Sequence, residues 1–115
     1  MADVFISYKR EDRPRVEALN ALLIDLELSV WFDAGIEVGA AWEARIMEEA
    51  EAAAAIIVCW TFAATASPWV TREAEVGLRR GVLAPVMLQW CAPGPPFGAI
   101  QAADLRAWDG APDHS

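Results

Sequence analysis

Ala53-Ala54-Ala55-Ile56-Ile57-Val58-Cys59-Trp60 is an apolar run with no alternation of polar and apolar side chains. Such a run of strand length suits a strand buried on both faces, and parallel sheets covered by helices are where such strands occur. It is read as the middle of a parallel sheet, and the rest of the chain as what must flank it. Before it, Asp3-Val4-Phe5-Ile6-Ser7-Tyr8 is rich in aromatic and β-branched residues and ends in the charged run Lys9 to Arg13, so it reads as a first strand followed by a turn. Asp12 is placed to cap a helix that tolerates Pro14 in its first turn and buries Val16, Leu19, Leu22, Leu23 and Leu26. Ser29 to Phe32 is a second short strand. The glycine-punctuated loop Asp33 to Ala40 then leads to a helix carrying Trp42, Ile46 and Met47. After the central run, Ser67 caps a helix with Pro68 at its first position and Gly81 as its stop. Val82 to Leu88 is a fourth strand, in which Pro85 costs a ladder bond and points to an edge-like or bulged position. A Pro-rich loop from Ala92 to Phe97 precedes a short fifth strand near Ala103 to Leu105.

Strands alternating with helices imply right-handed crossovers and helices on both sheet faces. The expected fold is a flavodoxin-like three-layer α/β domain with a mostly parallel sheet of about five strands. At 115 residues there is room for one domain, placed at 1–109 with a tail at 110–115. In such sheets ligands sit beyond the carboxyl ends of the strands, where strand order reverses, so Ser7 to Arg10 and Trp60 to Thr61 are expected to face the site. Nine Lys plus Arg against seventeen Asp plus Glu give a net charge of -8, which argues against nucleic acid or an anionic membrane as partner. The apolar stretch around Ala52 to Ala66 is too short to span a bilayer. Cys59 and Cys91 have neither metal-ligand nor disulfide-framework spacing, and no secretory leader is seen, so a cytoplasmic location is expected.

The lone histidine, His114, lies in the tail, so Ser-His-Asp or Cys-His catalysis and histidine-rich metal sites are not expected. Neither a G-x-x-x-x-G-K-[ST] nor a G-x-G-x-x-G loop follows a strand. A response-regulator receiver needs an aspartate at the end of its third strand, where this chain has Cys59-Trp60-Thr61. Carboxylates are plentiful, and these exclusions do not choose among them; Trp69 and Glu73 are one pair four apart on a helix face, which directs an aromatic plane and a carboxylate into one neighbourhood. Without further context, a glutamate between Arg72 and Glu75 is ordinarily solvated surface, and Trp69 is ordinarily a core anchor.

Three blocks change that weighting: Asp3 to Tyr8; Val30-Trp31-Phe32-Asp33 followed by Gly39-x-x-Trp42; and Ser67-Pro68-Trp69-Val70-Thr71-Arg72-Glu73. In this order and spacing they resemble a Toll/interleukin-1 receptor (TIR) domain over almost the whole chain. The third block is similar to the S-x-W-x-x-x-E segment of the NAD-cleaving members, and abundant Ala with few Lys looks closest to bacterial ones. The resemblance implies an NAD+ glycohydrolase with Glu73 as catalytic carboxylate. Tyr8, Lys9, Arg10, Phe32 and Trp69 would bind substrate. NAD+ would be the substrate, with no other cofactor, and the products nicotinamide and ADP-ribose or a cyclic isomer. It further implies a role in bacterial defence or signalling, assembly with other copies, and a sensor domain that is fused or separate. The loop with Asp33, Gly35, Ile36 and Gly39 would gate the site and meet a neighbouring copy. Lys9 and Arg10 have a plainer reading as a solvated turn offsetting Glu11 and Asp12.

Two departures stand out. The third strand ends in Trp60-Thr61-Phe62 where relatives have a small Ser-containing turn, which implies a bulkier pocket wall, and the chain stops where relatives continue into a final helix. A noncatalytic TIR interaction module, signalling by homotypic contacts, is the alternative, and cleavage of another N-ribosyl bond is a third reading.

Overall fold

The central apolar run forms the middle strand of a five-stranded sheet in the order β2-β1-β3-β4-β5. The structure, a computed structural model, describes residues 3–32, 40–95 and 97–106. In chain order the elements are β1 (Val4–Ser7), α1 (Arg13–Asp25), β2 (Val30–Trp31), α2 (Ala40–Ala52), β3 (Ala55–Trp60), α3 (Phe62–Thr65), α4 (Pro68–Arg80), β4 (Leu83–Met87) and β5 (Ala103–Asp104), with 3-10 turns at Arg10–Asp12 and Phe97–Ala99. Every strand pairing is parallel: β3 runs beside β1 from Val4↔Ala55 to Ser7↔Val58 and beside β4 from Ile56↔Leu83 to Trp60↔Met87. This is the expected flavodoxin-like α/β architecture.

The two faces of the sheet follow from side-chain parity. Phe5, Ile56, Val58 and Trp60 point to one side and pack with Ile46 and Ala50 of α2 and Val70 and Ala74 of α4. Val4, Ile6, Cys59 and Val86 point to the other and pack with Val16, Leu19 and Leu23 of α1. Gly77 lets α4 approach closely, since a Cβ there would meet Leu83 Cδ1 at 3.2 Å and Ile56 Cβ at 3.3 Å. No helix among the described residues is long and apolar enough to cross a membrane.

The ends of α4 match their sequence signals. Ser67 Oγ accepts from Val70 N–H at 3.3 Å, Pro68 opens the helix, and Gly81 takes φ 75° while Val82 N–H closes back onto Gly77 C=O. Three expectations need correction. Asp12 precedes α1 but its side chain makes no cap bond, because its carboxylate is engaged by Thr61. Leu26 is exposed, since α1 ends at Asp25 and the chain turns at Glu27, which takes φ 65° while Leu28 N–H bonds Leu23 C=O. Pro85 lies in an interior strand, in register with Val58. Leu88 N–H donates to Trp60 C=O and Met87 C=O accepts from Leu105 N–H, so odd-numbered residues of β4 face β5. The N–H that Pro85 lacks would point toward β5, which pairs only with Val86 and Met87.

Candidate active site

The chain leaves β1 for β2 on one side, while β3 lies on the other, so strand order reverses between the carboxyl ends of β1 and β3. Ser7 is the last residue of β1, and parity with Phe5 turns it toward α4. Burial on α4 recurs at Val70, Glu73, Ala74 and Gly77, the stripe of a helix laid on a sheet. Glu73 therefore sits where packing calls for an apolar side chain, and it is only 3% exposed. Ser7, 1% exposed, donates its hydroxyl proton to Glu73 Oε1 at 2.5 Å.

One helical turn before Glu73, Trp69 acts on the same carboxylate as a hydrogen-bond donor, and the Arg72 guanidinium lies 4.9 Å above the Trp69 ring. Burial pushes the Glu73 carboxyl up to about 7, against the hydrogen bonds from Ser7 and Trp69 and the charge of Arg72, each of which favours the ionised form. Desolvation wins, leaving a carboxylate poised to change charge near neutrality. Buried acids perturbed in this way recur at functional sites, and this one lies at the sheet switch point.

The other expected site residues fall into a second group. Tyr8 and Phe32 stack with ring centroids 5.1 Å apart, Arg13 lies 4.8 Å over the Phe32 ring and donates to Tyr8 Oη at 3.0 Å. Both aromatics belong to the α1 side of the sheet, whereas Glu73 and Trp69 lie on the α4 side. Lys9 has Glu11 at a loose 3.9 Å, and Arg10 is exposed in the turn that follows β1. That turn is fastened across the switch point: Thr61, buried at the end of β3, donates to Asp12 Oδ2 at 2.5 Å and accepts from Ala64 N–H. The bulk of Trp60 goes into the core, where its ring tilts against Phe97 at 5.6 Å, and Phe62 is exposed. Asp33, Gly35, Ile36 and Gly39 lie outside the described residues, as do the Trp42 side chain and the segment from 107 onward.

Ser7 and Thr61 lie at the strand ends where the site is expected, but their partners, Glu73 and Asp12, and the part played by Arg72 are not read from the sequence alone. For Ser7 a signal existed, because its parity with Phe5 marks a polar side chain pointing into the core at a strand's carboxyl end. For Asp12–Thr61 none did, since the partners are 49 residues apart.

A sequence model of the TIR domain matches residues 4–114. The chain belongs to the TIR domain family. Among solved structures, this TIR domain is similar to that of the Toll-related receptor TRR-2 from the lower metazoan Hydra magnipapillata, at 18% identity and TM-score 0.79 over 93% of this chain and 90% of that one. It is also similar to the TIR domains of the activated Roq1 resistosome that directly recognises the pathogen effector XopQ, at 20% identity and TM-score 0.60 over 76% of this chain and 57% of that one. At these identities the likeness is one of fold. A search of curated proteins finds no match.

Proposed function

We propose that this TIR domain is an NAD+ glycohydrolase and that Glu73 is its catalytic carboxylate. The observation that carries the reading is the Glu73 carboxylate itself, buried at the switch point and held by Ser7 and Trp69. NAD+ presents a cationic pyridinium ring, which suits an aromatic plane beside an anion, and Trp69 with Glu73 supplies both. The bond between ribose C1′ and the ring nitrogen breaks, its electron pair stays on nitrogen, and nicotinamide leaves neutral, so no general acid is needed. The ribosyl carbon takes on oxocarbenium character, which a preorganised carboxylate stabilises. Water then adds and gives a proton to solvent, yielding ADP-ribose, or a nucleophilic atom of the same molecule closes a cyclic isomer.

Lys9 and Arg10, just past β1, are placed to meet the diphosphate of an anionic substrate, on a turn that Asp12 and Thr61 hold to β3. Phe32, half-buried on the α1 side and backed by the buried Tyr8, would offer a second aromatic surface for the rest of the dinucleotide. The domain acts in the cytoplasm as the effector of a bacterial defence or signalling system, and the assembly of several copies, driven by a fused or separate sensor, turns it on. Support for assembly comes from the fold it shares with the TIR domains of an activated resistosome. The experiment is nicotinamide release from NAD+ at high protein concentration by the wild type and by Glu73→Gln. Loss of release in a folded Glu73→Gln domain is expected. A wild type that stays inactive even when tethered in arrays would favour the noncatalytic interaction module.

A further inference from the structure

Four polar or charged residues are buried among the described residues: Ser7, Thr61, Ser67 and Glu73. Thr61 and Ser67 cap the N-termini of α3 and α4, each accepting a backbone N–H. Ser7 caps nothing. It ends a strand, its hydroxyl reaches 66 residues along the chain to Glu73, and the pair is closed from solvent on both sides. We infer that Ser7 is a positioning residue, whose hydroxyl fixes Glu73 Oε1 in one orientation and favours the ionised carboxylate that the reaction needs. The inference rests on the reading of Glu73 as the catalytic group.

Two physical features support it. The first is rigidity: β1 is paired along its length to β3, up to Ser7↔Val58, so the donor is carried by the middle of the sheet rather than by a loop. The second is chemistry: a hydroxyl donating to a carboxylate makes a charge-assisted bond, roughly twice as strong as the bond it makes to a neutral carboxylic acid. Ser7 therefore opposes the burial that pushes the Glu73 carboxyl up to about 7.

The described charged groups around this carboxylate are few enough to separate its contribution. On α4 they are Arg72, Glu75, Arg79 and Arg80, of which Arg72 acts on Glu73 while Arg79 is held by Glu51 of α2. The remaining charges of α2 include Glu48 and an Arg45–Glu49 pair. At the carboxyl end of β1 lie Lys9, beside Glu11, the exposed Arg10, and Asp12, held by Thr61. Cys59 of β3 packs on the opposite sheet face, where burial pushes its thiol up to about 12. The segments α3 and β4 carry no titratable side chain.

The test is a carbon-13 NMR titration of the Glu73 carboxyl, in the free domain labelled at glutamate Cδ and assigned with Glu73→Gln, for the wild type, Ser7→Ala and Ser7→Cys. Cysteine fills the space of serine but donates weakly, so it separates packing from hydrogen bonding. Both variants are expected to titrate about one unit higher than the wild type, as expected for loss of one charge-assisted bond. In turnover, kcat/KM near pH 7 should fall about fivefold and recover toward higher pH. A Ser7→Cys carboxyl that titrates like the wild type, or variants that change only thermal stability, would overturn the inference. If the wild type releases no nicotinamide, the glycohydrolase reading fails, while the titration still decides whether Ser7 controls the carboxylate.

Discussion

Glu73 takes a place in the buried stripe of α4 that alanine would fill at lower cost, and the fold bears that cost in a pH-dependent way. Its folded-state carboxyl is raised from 4.5 to about 7, chiefly by burial, so the native state holds the proton more tightly than the unfolded chain. The resulting stability is fully present below pH 4.5 and is lost as pH rises through about 7. Relative to Glu73→Gln, which cannot ionise, the wild type should lose about 3 kcal/mol across that window. Thermal or urea melts of both proteins from pH 4 to 8 check this, and parallel curves would contradict the burial of a titrating acid. The same group should govern turnover. Since only the ionised form stabilises an oxocarbenium ion, kcat/KM should rise with pH to a plateau above about 7. In the complex, the positively charged pyridinium ring of the substrate favours the carboxylate, so the inflection in kcat should lie lower, as rate profiles of both parameters would show.

Among the elements, α1 ends with a non-glycine residue in the left-handed region, Glu27 at φ 65°, where α4 uses Gly81 at φ 75°. Glu27→Gly should therefore stabilise the domain by about 1 kcal/mol, read as a higher urea midpoint at unchanged slope. Thr61→Val, nearly isosteric, removes both the α3 cap and the bond that holds Asp12. It should cost about 1–2 kcal/mol of stability. Because the Asp12 turn also carries Lys9 and Arg10, KM for NAD+ should rise more than kcat falls, and steady-state kinetics checks this. The boundaries of α4 were legible because Ser67, Pro68 and Gly81 are local signals. Those of α1 were not: leucine periodicity ran on to Leu26 past the point where the backbone turns, and Asp12 was drawn from its cap by a partner far along the chain. Pro85 was misread as an edge marker because the direction of its missing N–H depends on strand order and on the shortness of β5.

For the molecule as a whole, the unbroken run at β3 and the alternation of strands and helices made the parallel sheet and its switch point readable. The site was only half readable. Glu73 and Trp69 share a helix face in the sequence, but the burial of Glu73 and its hydrogen bond from Ser7 depend on α4 crossing the end of β1. The family resemblance groups Tyr8 and Phe32 with them, yet both pack on the α1 side of the sheet. Catalysis by an assembled domain requires that specific activity increase with protein concentration and that it vanish without the Glu73 carboxylate. The most direct test is chromatographic detection of nicotinamide released from NAD+ by wild type and Glu73→Gln, across protein concentrations and with circular dichroism confirming the fold of both. Release by the wild type alone, rising more than proportionally with concentration, is expected. Equal release by Glu73→Gln would contradict the assignment of the catalytic carboxylate.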